Sequence, residues 1–91
     1  MADNFLKIAQ DAALSADGVS GILFPGVLPI PKDKALDLDI HISVYYGVSI
    51  PEVAWDVQEK VKNATAGIKG LNIGRINIHV DSITFKKKEY R

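Results

Sequence analysis

Two histidines, each near an aspartate, are the residues of this chain best suited to chemistry. His41 follows Asp39 by two residues, and His79 precedes Asp81 by two residues. Two imidazoles and two carboxylates are donors that zinc accepts. Their spacing matches no established metal motif, and polar residues alternating with apolar ones are typical of the solvated face of a sheet. We therefore expect a polar ladder at these positions, no metal site and no cofactor.

Two further patterns bear on nucleic-acid binding. Residues 67–70 read Gly-Ile-Lys-Gly, the G-x-x-G pattern that clamps the nucleic-acid backbone in KH domains. In those domains the loop joins two helices, whereas the segment after Gly70, LNIGRINI, is typical of a strand. The terminal KKKEYR can contact phosphate or anionic lipid, although a basic terminus commonly serves solubility. We do not expect a nucleic-acid partner, and the absence of a Ser-His-Asp order, a phosphate loop or an HExxH pattern predicts no enzyme.

Composition predicts one folded domain over residues 1–91, with a basic C-terminal tail at 83–91. Of the 91 residues, 47% are hydrophobic and 24% are charged, which excludes a disordered chain. The formal net charge is zero, but the last six residues carry four basic side chains and one glutamate, a sum of +3. Cysteine is absent, which suits a reducing compartment. The start has no signal-peptide pattern and no apolar run approaches ~18 residues, so we expect a cytoplasmic protein without direct membrane insertion.

The segment that organises the chain is Gly47 to Gly67, which reads as one amphipathic helix. Ser49 is a natural N-cap, Glu52 completes a capping box, and Pro51 falls in the first turn. Gly67 is suited to the left-handed conformation that closes the C-terminal end. The residues expected on the buried stripe are Ile50, Val53, Ala54, Val57, Val61 and Ala64.

Trp55 lies off that stripe, on a flank of the helix with Pro51, Gln58 and Lys62. One interpretation is a partly covered ring that packs over the edge of the sheet or over the other helix. The other is an anchor for a protein partner, because Trp is enriched at interface hot spots. These four residues form one candidate partner-binding flank.

A proline-rich segment, residues 25–34, supplies the other candidate surface. Three prolines exclude a helix interior or a central strand, so we expect an extended loop or a broken edge strand after a short strand at Val19 to Phe24. Val27, Leu28 and Ile30 are unusually apolar for a loop. They either fold back under the core or form an exposed docking surface.

The remaining pattern predicts an α+β fold. Asp3 to Ser15 reads as a first helix capped by Asp3 or Asn4, and Ala35 to Tyr46 as a strand whose alternate residues, ending with Tyr46, are buried. Arg75 to Asp81 reads as a last strand, with a bulge or kink at Gly74. The order α-β-β-α-β suits a two-layer sandwich in which both helices cover one face of a three-stranded sheet.

The chain resembles the alkaline shock protein family of bacteria over roughly residues 4 to 83. The family pattern is a strand ending in Tyr-Gly, an I-P-E-x-A-x-x-x-Q-x-x-V helix and a closing V-N-I-x-V-type strand, with a Gly-Val after the first helix. The matching positions are Gly18-Val19, Tyr46-Gly47, Ile50-Pro51-Glu52 with Ala54, Gln58 and Val61, and Ile76-Asn77-Ile78-His79-Val80.

The resemblance implies a cytoplasmic, non-enzymatic protein associated with envelope or alkaline stress. It further implies self-association into homo-oligomers, or peripheral attachment to the membrane through a separate membrane-anchored partner. Some members are connected with control of fatty-acid synthesis, so the alternative expectation is a regulatory adaptor of a metabolic enzyme. The family offers no catalytic residues to transfer.

Overall fold

The computed structural model describes residues 2–85, with side chains from Phe5 onward. The expected cap at Asp3 or Asn4 and the basic residues 86–91 lie outside the described side chains. The α+β class and the order α-β-β-α-β are confirmed. The elements are α1 (Ala2–Leu14), β1 (Val19–Pro31), β2 (Leu36–Tyr45), α2 (Ile50–Thr65) and β3 (Ile73–Thr84).

The sheet has the order β1-β2-β3, with β1 antiparallel and β3 parallel to the central β2. Both helices cover one face: α1 packs on β1 and α2, and α2 packs on β3. The residues of β2 that face the helices from Leu38 to Val44 are at most 1% exposed, because they lie under both helices. The buried core consists of Ala9, Ala13, Ala16, Val19, Leu38, Ile40, Ile42, Val44, Val53, Val57 and Val61.

β1 continues through the proline-rich segment to Pro31, so the predicted end of this strand at Phe24 is wrong. Of the two predicted forms of the segment, an extended loop or a broken edge strand, the structure has the edge strand. The strand pairs in register from Val27 to Pro31 after an irregularity between Ile22 and Val27. Proline removes a backbone donor, which a central strand cannot spare but an edge strand can. β1 has β2 on one side only, and this is why it accommodates three prolines.

The ends of α2 differ from their predicted chemistry. Ser49 is the N-cap residue, but its side chain makes no capping hydrogen bond, so the capping box is wrong. The Ser49 carbonyl accepts the Val53 N–H at 2.9 Å, which is the first backbone hydrogen bond of the helix. Gly67 is not among the left-handed glycines of the described chain, whereas Gly70 has φ +80° in the turn leading to β3. The reversal of the chain therefore occurs three residues later than predicted.

The buried stripe of α2 is narrower than predicted. Val53, Val57 and Val61 are buried as expected, and Thr65 continues the same four-residue spacing. Ala64, predicted to be buried, is exposed, and Ile50 at the start of the helix is also exposed. The Thr65 hydroxyl is accommodated because it donates to the Val61 carbonyl at 2.9 Å within the helix.

A bulge in β3 at Gly74 and Arg75 confirms the predicted kink. One residue of β2, Asp37, opposes these two residues, and its carboxylate accepts the Arg75 N–H at 2.8 Å. A Cβ on Gly74 would lie 2.6 Å from that carboxylate, so only glycine permits this approach. Asp37 belongs to the outer face as predicted, yet it is buried rather than solvated because the bulge closes over it.

Candidate functional site

The predicted flank of α2 lies beside the outer edge of the sheet. The Gln58 side-chain amide donates to the Ile76 carbonyl of β3 at 2.7 Å, which fixes α2 against that strand. Gln58 and Lys62 line a shallow groove with Ile73 and Ile76. Trp55, one turn before Gln58, is 61% exposed, so packing covers less than half of the ring. Pro51 is exposed at the start of the same flank.

The three apolar residues of the proline-rich segment point to different surfaces. Val27 pairs with Ile40 of β2 and packs against the core, as in the first of the two interpretations. Leu28 pairs with Asp39 and Ile30 with Asp37, which places both on the outer face. Leu28 is exposed and Ile30 is partly buried. These residues therefore do not form one continuous surface.

The two histidines meet on the outer face. His41 and His79 are paired in register across β2 and β3, and their rings stack with centroids 4.4 Å apart and planes 10° apart. His41 Nδ1 lies 2.7 Å from an Asp81 carboxylate oxygen, and His79 Nε2 lies 3.6 Å from Asp39. In stacked rings the nitrogen lone pairs lie in parallel planes and do not converge on one ion. Within residues 2–85 no group of three or more His, Cys, Asp or Glu side chains is arranged to hold a metal.

A cluster of three side-chain hydroxyls, separate from the histidine pair, connects all three strands. Ser20 Oγ of β1 lies 2.7 Å from Ser43 Oγ of β2 and 2.8 Å from Thr84 Oγ1 of β3. Ser43 is buried, although the alternation of β2 predicts a solvated position. The cluster is structural, because each hydroxyl takes its partner from another strand of the same sheet.

Sequence reasoning missed an aromatic pair at the end of the sheet. Tyr46, predicted to be buried, is 59% exposed because β2 ends at Tyr45. Its ring stacks on Phe85, which is 68% exposed, with centroids 4.8 Å apart. One signal was available in the sequence: after Asp81 the apolar residues shift from even-numbered to odd-numbered positions, at Ile83 and Phe85. Phe85 directly follows the last residue of β3.

A cavity of about 300 Å³ opens between the α1–β1 turn and the start of α2. Asp17, Glu52 and Asp56 contribute carboxylates to it, and Val48 and Val53 contribute apolar surface. These acids lie on the flank of α2 that faces the α1–β1 turn, whereas Gln58 marks the flank that faces β3. The acidic cavity and the groove beside Gln58 therefore lie on different flanks of α2.

The G-x-x-G pattern forms a turn between α2 and β3, as the strand-like sequence after it indicated. None of the helices in residues 2–85 is long and apolar enough to cross a membrane.

Comparison with known sequences finds similar proteins in Bacillus subtilis and Streptococcus pyogenes. It is 39% identical over 56 residues to the uncharacterized protein YqhY of Bacillus subtilis, covering 62% of this chain and 42% of YqhY. It is 36% identical over 58 residues to the uncharacterized protein YloU of the same organism, covering 64% of this chain and 48% of YloU. The chain thus spans less than half the length of these curated relatives.

Solved structures show the same fold at low sequence identity. A variant of the MamM CTD superposes with a TM-score of 0.62 and 16% identity, covering 89% of this chain and 96% of that one. A second MamM CTD variant gives a TM-score of 0.62, covering 90% of this chain and 98% of that one. At this identity the likeness concerns the arrangement of helices and strands alone.

The model of one protein family matches residues 25–85, which include the whole of β2, α2 and β3. The family is described as having a cell envelope-related function. The resemblance to alkaline shock proteins, carried by the Tyr-Gly and I-P-E positions, is thereby confirmed. The chain belongs to the alkaline shock protein 23 family.

Proposed function

We propose that this chain is a non-enzymatic interaction protein that self-associates or docks on a protein partner at the cytoplasmic side of the envelope. The observation that carries the proposal is the exposure of Trp55, which projects from α2 away from its buried stripe. A large indole left in water is available for burial against another macromolecule, and Trp is the residue type most enriched at interface hot spots.

The surroundings of Trp55 favour binding because they are already ordered. Gln58 holds this flank to the backbone of β3, so presenting the ring requires no rearrangement of α2. Little conformational entropy is then lost on association. Pro51 and Lys62, both exposed, would border the indole with a rigid ring on one side and a charge on the other, as in an interface with a polar rim.

The family description supports a partner at the envelope, and we propose that this partner is membrane-anchored. The alternative, a regulatory adaptor of a metabolic enzyme such as one of fatty-acid synthesis, would use the same flank. The identity of the protein that the flank retains separates the two alternatives.

The test compares Trp55→Ala with the parent chain in sedimentation velocity over a concentration series, and in retention of partners from native lysate. We expect Trp55→Ala to lose association while its free energy of unfolding falls by only about 1–2 kcal/mol, since most of the ring is already in water. Phe24→Ala is the matched control, because Phe24 is 96% exposed on β1, the strand at the opposite edge of the sheet from β3.

Two outcomes would contradict the proposal. The first is unchanged association of Trp55→Ala, which would exclude the flank as an interface. The second is a loss of about 3–5 kcal/mol in unfolding, the range for a buried Trp, which would make the ring structural.

A further inference from the structure

We propose that the free edge of β3 binds a second copy of this chain, whose own β3 adds in the antiparallel direction about a two-fold axis through Ile78. The proposal rests on the proposed self-association, and it assigns that association to the edge of the sheet rather than to Trp55. The two sheets then form one sheet of six strands, three from each copy, with the helices of both copies on the same face.

The two edges of the sheet differ in their capacity to accept another strand. β1 forms one edge, and its three prolines lack the N–H groups that an added strand would bond. β3 forms the other edge over 12 residues and contains neither proline nor lysine, the residues that commonly protect an edge. Within residues 2–85 no strand pairs with its outer side. Of the two edges, that of β3 is therefore the one open to pairing.

The middle of β3 is a regular run of five residues, Ile76 to Val80, which pairs with β2 without interruption. An irregularity bounds this run on each side, at Gly74 and Arg75 before it and at Asp81 after it. The regular run is therefore centred on Ile78. A two-fold axis at Ile78 sets the whole run of one copy against the whole run of the other, which is the register that uses the most regular backbone.

In this register the charges at the two ends of the run are complementary. Arg75 of one copy lies opposite Asp81 of the other, because these residues stand three positions before and three positions after Ile78. Both are exposed on the outer face: Arg75 lines an open groove with Asn77, and Asp81 lies 2.7 Å from His41 Nδ1. Opposite charges that face each other across antiparallel strands are favourable, and the symmetry produces this pair twice.

The Arg75 charge is available for such a contact. Within residues 2–85 its guanidinium has no ion-pair partner, since Asp37 bonds the Arg75 backbone N–H and lies 3.8 Å from Lys32 Nζ. Asp81 uses one carboxylate oxygen for His41, and its other oxygen remains for a second copy. The interface therefore requires no existing ion pair to break.

The apolar side chains of the run would gain cover from a second copy. The β2 residues beside them in register are fully buried, whereas Ile76, Ile78 and Val80 are only partly buried although they face the helices. The two-fold axis places Ile76 opposite Val80 and Ile78 opposite itself. Apolar side chains paired across antiparallel strands add their burial to the backbone hydrogen bonds.

The contact of α2 with this edge does not close it. The Gln58 amide donates to the Ile76 carbonyl at 2.7 Å, at the start of the run, and a carbonyl oxygen has a second lone pair for a further donor. An extended segment of another protein is the alternative occupant of a free edge. A second copy is favoured because it carries the charges that match Arg75 and Asp81 by symmetry.

The test reverses the charge at each end of the run. Arg75→Glu sets carboxylates opposite each other in the dimer, and Asp81→Lys sets cations opposite each other. Each variant alone should raise the Kd of the dimer in sedimentation equilibrium by about thirtyfold, because two pairs per dimer each lose an attraction and gain a repulsion, at about two- to threefold for each change. An equimolar mixture of the two variants should recover association, since the mixed dimer has opposite charges at both ends.

Matched charge reversals elsewhere control for net charge. Lys69→Glu and Asp33→Lys alter exposed residues in turns outside β3, and they should associate like the parent both alone and mixed. Circular dichroism establishes that each variant is folded, and recovery in the mixture of Arg75→Glu and Asp81→Lys shows the same for that pair.

Introduced cysteines test the register, because the chain has none of its own. Ile78→Cys should give a disulfide-linked dimer under mild oxidation, since its two copies face each other on the axis. Val80→Cys is the matched control: it is also partly buried on the same face, but its two copies are offset by four residues, about 13 Å, which a disulfide cannot span.

Three results would overturn the proposal: a parent chain that is monomeric at every concentration, a mixture of Arg75→Glu and Asp81→Lys that fails to recover association, or equal crosslinking of Ile78→Cys and Val80→Cys. A monomeric parent that retains another protein, with retention lost in Arg75→Glu, would assign the edge to a strand of that protein instead.

The same assay separates this proposal from that of the Trp55 flank. Association lost in Trp55→Ala but kept in Arg75→Glu would uphold the flank and reject the edge of β3. Association lost in Arg75→Glu but kept in Trp55→Ala would uphold the edge and reject the flank.

Discussion

Replacement of Gly18 by alanine tests how tightly the α1–β1 turn is packed against α2. Gly18 has φ +92°, a conformation that L-residues rarely adopt. A Cβ built there lies 2.8 Å from Val53 Cγ2 and 3.3 Å from Val48 Cγ1. The Gly18 carbonyl also accepts the Tyr45 N–H at 3.0 Å, so the turn has little freedom to move away.

Two terms set the expected loss of stability. An alanine held at positive φ costs about 1–2 kcal/mol. Forcing a methyl group against the packed side chain of Val53 costs about a further 1–3 kcal/mol, because Val53 lies in the core and cannot swing out. We therefore expect the free energy of unfolding of Gly18→Ala to fall by about 2–5 kcal/mol.

Gly47 provides the matched control. Its φ of +95° is nearly the same, but a Cβ there meets no atom within 4 Å. Gly47→Ala should therefore show the conformational term alone, about 1–2 kcal/mol. Chemical denaturation followed by the fluorescence of Trp55 measures both variants, and unchanged m-values would support a direct comparison.

Equal losses for Gly18→Ala and Gly47→Ala would refute the reasoning, because the packing term would then be absent. A double variant sharpens the test. Truncating Val53 to alanine removes the atom that clashes, so Gly18→Ala and Val53→Ala should be less than additive by about 0.5–3 kcal/mol. Strict additivity would show that the turn does not press on this side chain.

Two further substitutions test contacts that join the elements. Gln58→Ala should cost about 0.5–1.5 kcal/mol in chemical denaturation, the net value of its hydrogen bond to β3, and no loss would show that this bond does not hold α2. Ser20→Ala should cost about 1–3 kcal/mol in the same assay, since it removes one hydrogen-bond partner from each of Ser43 and Thr84. The exposed Ser82→Ala should be neutral, and equal effects would exclude the hydroxyl cluster from a structural role.

A helix or strand could be predicted from the sequence where one of its faces is fully buried against other elements. β2 alternates strictly because its apolar side chains lie under both helices, and the i, i+4 valines of α2 mark its buried face in the same way. The ends could not be predicted as well, since they depend on neighbours distant in the chain. Ser49 has the side chain for a cap bond, yet it makes none.

The proline-rich strand shows a second limit of sequence patterns. Proline excludes a central strand, but whether a segment lies at an edge depends on the strand order, which alternation does not encode. Val27 and Leu28 therefore had two interpretations, and the position of β1 in the sheet places Val27 against the core and Leu28 on the outer face.

The candidate surfaces follow the same rule. Helical periodicity separates Trp55 from the buried stripe of α2, so its flank could be predicted. The aromatic pair could not, because Tyr46 continues the alternation of β2 one residue past the end of the strand. Only the stacking of Phe85 on Tyr46, across elements 39 residues apart in sequence, reveals that surface.

The strand order also determines how the sheet assembles in time. β1 and β2 are joined by a short connection at residues 32–35, so this hairpin closes with a small loss of chain entropy. β3 can add to β2 only after the chain has passed through α2, which makes its pairing the slower, non-local step. We expect backbone amides of β3 to exchange with solvent before those of β2, so the strand that carries Ile83 toward Phe85 is the first to detach from an otherwise intact sheet.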